Sequence, residues 1–368
     1  MRVAVLLVVL VGLLVPVAQA SDHADPIFLS DPEANITGLF FFPRGDQYVA
    51  ILNVRRATTK GTPFPLTPYE YVVYMDTHSA ITFDDQNRLR YGGKVTSPEG
   101  IRPDVTIRIR LNDDASIRDK SVSGLGVNAD GIRWWSGLRD DPFIFPRFFK
   151  KNVISVVMSI PQSAFPAGKQ EWLLWGVTSK NGKQIDHVGR SNRTQLGRFN
   201  FLNTLPPSEH MKAILAMMQK QQKPVAFLKK YKLTMPLYNV FHMLLQIRPY
   251  DLAPDVMVFS TRFPPGFPNG RQLTDDIVAE TCKYGDCDLQ ELSYIEGGWP
   301  RAVVNDKPFL ADFPYEAAPW PESAEAPGPV SFGRVGIWLL LIVVAVVVLW
   351  SWLFYRLGKR AALRRRLA

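Results

Sequence analysis

Alternation of apolar and polar residues predicts β-strands along the first two thirds of the chain. Residues 104–111 (DVTIRIRL) alternate aliphatic side chains with Thr or Arg, which is typical of a strand with one buried face. Five further runs alternate less regularly, at residues 48–54, 69–75, 153–160, 171–177 and 256–261. Because turn-forming clusters such as KGTP (60–63) separate these short runs, we expect a mainly β fold. It would be an antiparallel sandwich or open barrel with inserted α-helices.

Helical spacing of apolar residues occurs mainly late in the chain. Residues 208–222 (SEHMKAILAMMQKQQ) begin with a Ser N-cap, and we expect their methionines to face the core. Pro224 is expected to interrupt this helix, because proline removes a backbone donor. A second, short helix is predicted at 274–279 (TDDIVA) with Thr274 as its cap.

A long uncharged run predicts one C-terminal transmembrane helix at residues 336–355 (GIWLLLIVVAVVVLWSWLFY). At 1.5 Å per residue, such a helix spans the roughly 30 Å hydrocarbon core of a bilayer. Six cationic residues follow in the tail 356–368: Arg356, Lys359, Arg360, Arg364, Arg365 and Arg366. Positive charge marks the cytoplasmic flank of a span. We therefore expect a single-pass membrane protein with its N-terminal domain outside, periplasmic or extracellular, and a cytoplasmic C-terminus.

The N-terminus predicts export. Arg2, an apolar run over 3–15 and the sequence AQA at 18–20 match a signal peptide over residues 1–20. The extracytoplasmic β-rich domain is then expected at 21–305. Residues 306–335, which include FPYEAAPWPESAEAPGPV (313–330), are expected to form a Pro-rich stalk without a core.

The charge balance excludes a nucleic-acid partner once topology is considered. The formal net charge is +9, but six of those charges belong to the predicted tail and a seventh is Arg2, which leaves +2 for the exported part. No basic stripe interleaved with aromatic residues occurs there.

Cys282 and Cys287, in CKYGDC, are the two cysteines of the chain. Outside the cytosol such a pair favours a structural disulfide. Metal binding, redox chemistry and free thiols remain alternatives.

Several stretches together resemble the bacterial family catalogued as domain of unknown function number 4331. They are SDHAD (21–25) with DPEANITGLFFF (31–42), GLRDDPF (137–143), QIDHVGRSNRTQL (184–196) and NGRQLTDDIV (269–278). The resemblance implies an exported β-rich domain, and it implies no established activity.

These stretches place carboxylates or histidine beside turns, which suggests a metal site built from loops. The candidate ligands are His23, Asp25, Asp140, Asp141, Asp275 and Asp276. Calcium binds six to eight oxygens, often from loops, so calcium or another divalent cation is the expected occupant if the turns converge. Structural hydrogen bonding is the competing interpretation.

Signal cleavage would create a second candidate metal site. A mature chain that starts Ser21-Asp22-His23 offers an α-amine, two backbone amides and an imidazole, a nitrogen set that suits Cu(II) or Ni(II).

Three functions are consistent with these features. The first is a membrane-anchored binding or structural module. The second is a metal-assisted hydrolase with His187 as acid/base, although the common catalytic motifs are absent. The third is a scaffold for a protein partner, with Trp134, Trp135 and the loop 143–149 (FIFPRFF) as an exposed contact patch.

Overall fold

The computed structural model describes residues 31–56, 64–191, 199–230, 247, 252–297, 300–321, 344–352 and 356. The chain divides into two units, one of residues 19–327 and one of 1–18 with 328–368. In the second unit, residues 344–352 are helical. Among the described residues, none of the helices is both long and apolar enough to cross a bilayer. Residues 336–343 and 353–355 lie outside the described part, so the span at 336–355 stays a prediction.

The larger unit is mainly antiparallel β-sheet, which confirms the expected fold class. Its described strands are β1 (Ile36–Arg44), β2 (Gln47–Arg56), β3 (Tyr69–Asp76), β4 (Ile81–Thr82), β5 (Lys94–Val95), β6 (Val105–Leu111), β7 (Ile117–Ser123), β8 (Arg133–Asp140), β9 (Asn152–Pro161), β10 (Glu171–Lys180), β11 (Lys183–Val188) and β12 (Met257–Ser260). All six strands predicted from alternation are present. Six further strands, β1, β4, β5, β7, β8 and β11, have no counterpart among the predictions.

Two sheets contain most of these strands. Sheet 1 has the order β1-β2-β9-β8, and sheet 2 has the order β11-β10-β3-β6-β7, with β12 also paired to β10. Every pairing within them is antiparallel. Strands β4 and β5 form a separate two-stranded ribbon.

The two sheets share one hydrophobic core. Alternate residues of β2, β3, β6 and β9 belong to the same buried cluster, together with Trp172 and Leu174 of β10. Strand β6 follows the predicted alternation, since its aliphatic residues are buried and its arginines exposed. Strands β2 and β9 are buried along almost their whole length, which explains their weaker alternation.

The described part of the larger unit contains four α-helices. They are α1 (Asp85–Tyr91), α2 (Pro207–Lys230), α3 (Ile277–Lys283) and α4 (Asp288–Gly297), with short 3-10 turns at Pro32–Ala34, Pro98–Gly100, Val127–Gly131, Pro146–Phe148, Gln162–Ala164 and Asn200–Leu202. Helix α2 continues through Pro224, so the predicted interruption there is wrong. Helix α3 starts later than predicted, because Asp276 and not Thr274 caps it by accepting a hydrogen bond from the Ala279 N–H.

Residues 305–320 pack on sheet 1, which corrects the expectation that the stalk starts at 306. Phe309, Phe313 and Tyr315 contact the apolar cluster on the outer face of this sheet. Glu316 and Ala317 are fully buried. Residues 322–335 lie outside the described part of the chain. The expectation failed because a run rich in Pro and Glu can still supply aromatic anchors to an existing apolar face.

The aromatic loop 143–149 is also buried. Phe143, Phe145 and Phe148 form a cluster with Ile277 and Val278 of α3 and with Leu289 of α4. The scaffold hypothesis required these rings to be exposed, so this part of the predicted contact patch is wrong. Trp134 and Trp135 lie in strand β8, and both are half-buried.

Candidate functional site

Asp140 hydrogen-bonds neutral donors of the 305–320 segment. One carboxyl oxygen accepts from the Trp320 indole Nε1 at 2.6 Å, and the other accepts from Asn305 Nδ2 at 2.7 Å. Burial raises the pKa of Asp140 to about 7, against the opposing effect of these hydrogen bonds. In the described structure the Asp140 carboxyl group contacts this chain segment, and its role as a metal ligand stays a prediction.

Asp141 forms a buried ion pair with a cation from sheet 1. Its Oδ2 lies 2.5 Å from Nε of Arg56, and both side chains are almost fully buried. Oδ1 accepts a hydrogen bond from the Phe143 N–H at 3.1 Å. The Arg56 guanidinium also stacks on the Phe148 ring, 3.9 Å from the centroid. This pair ties the aromatic loop to β2.

Asp275 and Asp276 organise the entry to helix α3. Asp275 accepts backbone hydrogen bonds from Phe267 and Gln272, each at 2.7 Å, and burial raises its pKa. Asp276 caps the helix and forms an ion pair with Arg301. Ser21, Asp22, His23 and Asp25 lie outside the described residues. Convergence of all six candidate ligands therefore stays a prediction, as does the N-terminal copper or nickel site.

A different group brings potential metal ligands together. Within the described ranges, the one set of three His, Cys, Asp or Glu whose ligand atoms lie within 4.8 Å of one another is Asp76, His78 and Asp104. Asp76 accepts the N–H groups of His78 and Ser79, both at 2.8 Å. Asp104 accepts the Thr77 N–H and lies 2.7 Å from Nδ1 of His78. A cation would compete with these donors, so the group is a hydrogen-bonded turn in this state.

His187 lies inside a buried polar network. Its Nε2 is 2.8 Å from the backbone oxygen of Asp255, and its ring packs edge-on against His210 at 4.9 Å. The Asp255 N–H donates to Nδ1 of His210, so the proton of that ring resides on Nε2, which donates to the Leu205 carbonyl. All three side chains are fully buried. Such burial argues against His187 as the acid/base of a hydrolase.

Asp255 of this network fixes the turn after β11, and Arg190 of that turn lines a cleft. The Asp255 carboxylate accepts hydrogen bonds from the N–H groups of Gly189 (3.3 Å) and Arg190 (2.8 Å). The approach is so close that a Cβ on Gly189 would lie 2.3 Å from the Asp255 carbonyl oxygen. The backbone of Arg190 thereby has a defined position in the turn after β11.

The cleft has a volume of about 160 Å³ and lies between α1, β5, the turn after β11, residues 252–258 and α2. Its described lining includes two cations, Lys94 and Arg190, and no acidic residue. The Arg190 guanidinium stacks on Tyr91, 4.3 Å from the ring centroid. Asn87 adds an amide, and the apolar part of the wall comes from Val95, Pro98, Met211, Leu252, Ala253, Pro254, Val256 and Val258.

The sequence contained a partial signal for this cleft. Arg190 belongs to QIDHVGRSNRTQL (184–196), one of the stretches that carry the family resemblance, and the same stretch contains Asp186 and His187. The structure buries those two residues and leaves Arg190 lining the cleft. The sequence contains no signal for Tyr91 and Lys94 as cleft residues, because nothing in their local sequence shows that they lie beside the turn after β11.

The predicted disulfide between Cys282 and Cys287 is confirmed. Cys282 lies in α3 and Cys287 immediately precedes α4, so the bond joins these two helices at their corner. Its role is structural.

Comparison of the chain with protein-family models, with curated proteins and with solved structures finds no match in any of the three. The resemblance to the family of domain number 4331 stays a prediction.

Proposed function

We propose that this protein is an exported, membrane-anchored binding module. A β-sandwich would present the cleft beside Arg190 to a small anionic ligand outside the cytoplasm. The predicted signal peptide and the predicted span at 336–355 support the location. The buried network around His187 and the structural use of Asp140 and Asp141 favour a binding module over a metal-assisted hydrolase.

The observation that carries the proposal is the charge of the cleft. Lys94 and Arg190 line it, and no acidic residue stands among its described lining residues. Arginine pairs with carboxylates and phosphates through paired N–H donors, and stacking on Tyr91 holds the plane of this guanidinium. A small anion is therefore the ligand class that this cleft fits.

The size and the lining of the cleft restrict the class of ligand further. A cavity of roughly 150 Å³ accommodates a molecule the size of benzene. The cleft is of that size and has a largely apolar wall with two cations. We infer a compact carboxylate or phosphate ester with an apolar part, and benzoate and inorganic phosphate serve as the two contrasting probes.

Calorimetric titration of the full chain in detergent tests the proposal. We expect benzoate to bind, and we expect Arg190→Gln to weaken binding about 10- to 100-fold, the loss expected for one or two hydrogen bonds to a charged group. Arg262→Gln is the matched control, because Arg262 also stacks on aromatic rings and pairs with Glu171 at another place on the surface. Equal affinities of the two variants, or no binding of either probe, would contradict the proposal.

The loop-borne calcium site and the copper or nickel site remain separate proposals. Mass spectrometry of metals in the full chain, purified without chelator, tests both. One equivalent of calcium that is lost in Asp275→Asn would support the first. Copper or nickel that is lost on insertion of one residue before Ser21 would support the second. A metal-free, folded chain would contradict both.

A further inference from the structure

The outward side of residues 302–311, called surface 302–311 below, is apolar. Its exposed residues are Ala302, Val303, Val304, Pro308, Leu310 and Ala311. Val303 and Val304 are 58% and 68% exposed. Of the five large hydrophobic residues that are exposed in the described part of the larger unit, three lie on this surface. Such a concentration marks an interaction surface, whereas single exposed apolar residues are ordinary.

The polar side chains of the same residues turn toward the domain. Asn305 donates from Nδ2 to a carboxyl oxygen at the end of β8, at 2.7 Å. Asp306 accepts the Lys150 N–H at 2.5 Å. Lys307 donates from Nζ to the Pro319 carbonyl at 3.0 Å. The polar groups are thus satisfied inside the protein while the apolar groups face outward, which is the reverse of a loop that contacts only water.

The rest of the domain holds this surface in place. Phe309 and Phe313 pack on the outer face of sheet 1, and Glu316 is fully buried. Arg301, immediately before the surface, forms an ion pair with Asp276. Because the surface is ordered by these contacts, a partner that binds it does not have to overcome the entropy of ordering a loop.

Exposed cations border the surface. The Arg44 guanidinium donates to the Ala311 carbonyl at 3.1 Å, and the Arg133 guanidinium lies 4.4 Å from the centroid of the Phe313 ring. Lys150 is exposed as well. Cations beside exposed aliphatic side chains fit a lipid surface, because they can pair with headgroup phosphates while the aliphatic groups enter below them.

The border is mixed in charge. Asp46, Asp130 and Asp312 are exposed acids that lie near these cations along the chain. A border of both signs suits a zwitterionic headgroup, which carries a phosphate and an amine.

The length of the chain after this segment also favours a lipid surface. Pro321 is the last described residue of the domain, and the predicted span begins at Gly336. The 15 residues from 322 to 336 cover at most about 50 Å when fully extended. A bilayer that holds the span is therefore always within reach, which raises its effective concentration above that of a free partner.

We propose that surface 302–311 lies in the headgroup region of a phospholipid bilayer. Val303, Val304 and Leu310 enter the boundary between headgroups and acyl chains, to a depth of about 5–10 Å, and Arg44 and Arg133 pair with phosphates. The reach of the surface rests on the predicted membrane anchor. The contact is independent of the ligand of the cleft.

This contact would leave the cleft open to solvent. Val256 and Val258 of the cleft pack with Trp175 on the outer face of sheet 2, away from the shared core. Phe309 packs on the outer face of sheet 1. The cleft and surface 302–311 therefore belong to opposite sides of the sandwich.

Fluorescence quenching of the full chain in phosphatidylcholine vesicles tests the contact. An environment-sensitive label is attached to Val304→Cys, since the native cysteines are joined in a disulfide. We expect nitroxide-labelled phosphatidylcholine to lower its emission at least about twofold, because a label at the headgroup boundary meets the quencher. Leu215→Cys is the matched control, because this leucine is 48% exposed and lies on α2, beside the cleft. Its label should be quenched little.

Val346→Cys, inside the predicted span, reports on the anchor separately. An unquenched label at 304 would overturn the proposal, whatever the label at 346 shows. Quenching at 304 without quenching at 346 would support the contact and contradict the anchor. Equal quenching at 215 and 304 would overturn the assignment of this particular surface. Emission at 304 that shifts to the blue without quenching would indicate a second protein chain on the surface, and it would overturn the lipid contact.

Discussion

Individual buried charges in this protein are used to join segments that are distant along the chain. Asp141 and Arg56, which are 85 residues apart, meet inside the core, and the Asp255 carboxylate fixes the turn that carries Arg190. Each group is stabilised by a specific partner, because an isolated charge costs several kcal/mol to bury. In the described part of the molecule, the predicted metal ligands Asp140 and Asp141 contact distant segments, and the metal site itself stays a prediction.

Removal of one member of the buried ion pair should be strongly destabilising. We expect Arg56→Met to lower the free energy of unfolding by about 3–5 kcal/mol, because it leaves the Asp141 carboxylate without its cation in the core. Arg108→Met is the matched control, since the pair of Arg108 with Glu70 is half-exposed and worth about 0–1 kcal/mol. Urea denaturation measures both, and equal losses would contradict the interpretation.

Gly189 should be required for the shape of the cleft. A Cβ at this position would lie 2.3 Å from the Asp255 carbonyl oxygen and 2.5 Å from the Val256 Cα, so backbone must move. We expect Gly189→Ala to cost about 1–3 kcal/mol of stability, as overpacking does, and to weaken anion binding. Gly100→Ala, where the nearest atom is 3.8 Å away, should change neither quantity in thermal unfolding and titration. Wild-type stability and wild-type anion affinity in Gly189→Ala would contradict the requirement for glycine at this position.

At the scale of elements, short helices and loops cover the faces that the strands leave apolar. Helices α3 and α4 bury the aromatic loop 143–149, and residues 305–320 bury the outer face of sheet 1. These covers explain why strands of sheet 1 lack clean alternation. For the same reason, the loop 143–149, which was expected to be exposed, and the segment 305–320, which was expected to belong largely to a stalk, are both part of the fold.

The disulfide should stabilise the corner between α3 and α4 by a modest amount. It closes a loop between residues separated by five positions, for which loop entropy gives about 2 kcal/mol. We expect the double variant Cys282→Ser/Cys287→Ser to unfold at lower urea by that amount, and we expect reductant to have the same effect on the wild type. Reductant should leave the double variant unchanged. A larger loss would indicate that the cysteine side chains also contribute to packing.

The whole molecule combines a folded β domain, which the structure describes, with a membrane anchor, which is predicted from the sequence. The described contacts of the domain extend to residue 320, beyond the boundary at 305 that composition suggests.

Deletion of residues 336–368 tests the predicted anchor. We expect the full chain to remain in the membrane pellet after carbonate extraction and the truncated chain to be recovered in the soluble fraction, because twenty uncharged residues favour the bilayer strongly. Thermal unfolding of the truncated chain serves as the control, and its transition should match that of the full domain. Extraction of the full chain by carbonate would contradict the anchor.

The sequence alone determined the fold class, the position of the strands in which alternation is visible, and the disulfide between two nearby cysteines. Each of these depends on local spacing. Strand β6 alternates because one face is buried and the other is solvated, and the cysteines are close along the chain.

Only the tertiary structure decided what the charged residues do. Asp140 receives a segment that starts 165 residues later, and Arg190 meets Tyr91 across the cleft. Composition predicts a stalk at 306–335, whereas the apolar outer face of sheet 1 makes the part up to residue 320 belong to the domain. The physical reason is the same in each case: the effect of burial on a charged group depends on which distant groups surround it, and local sequence does not contain that information.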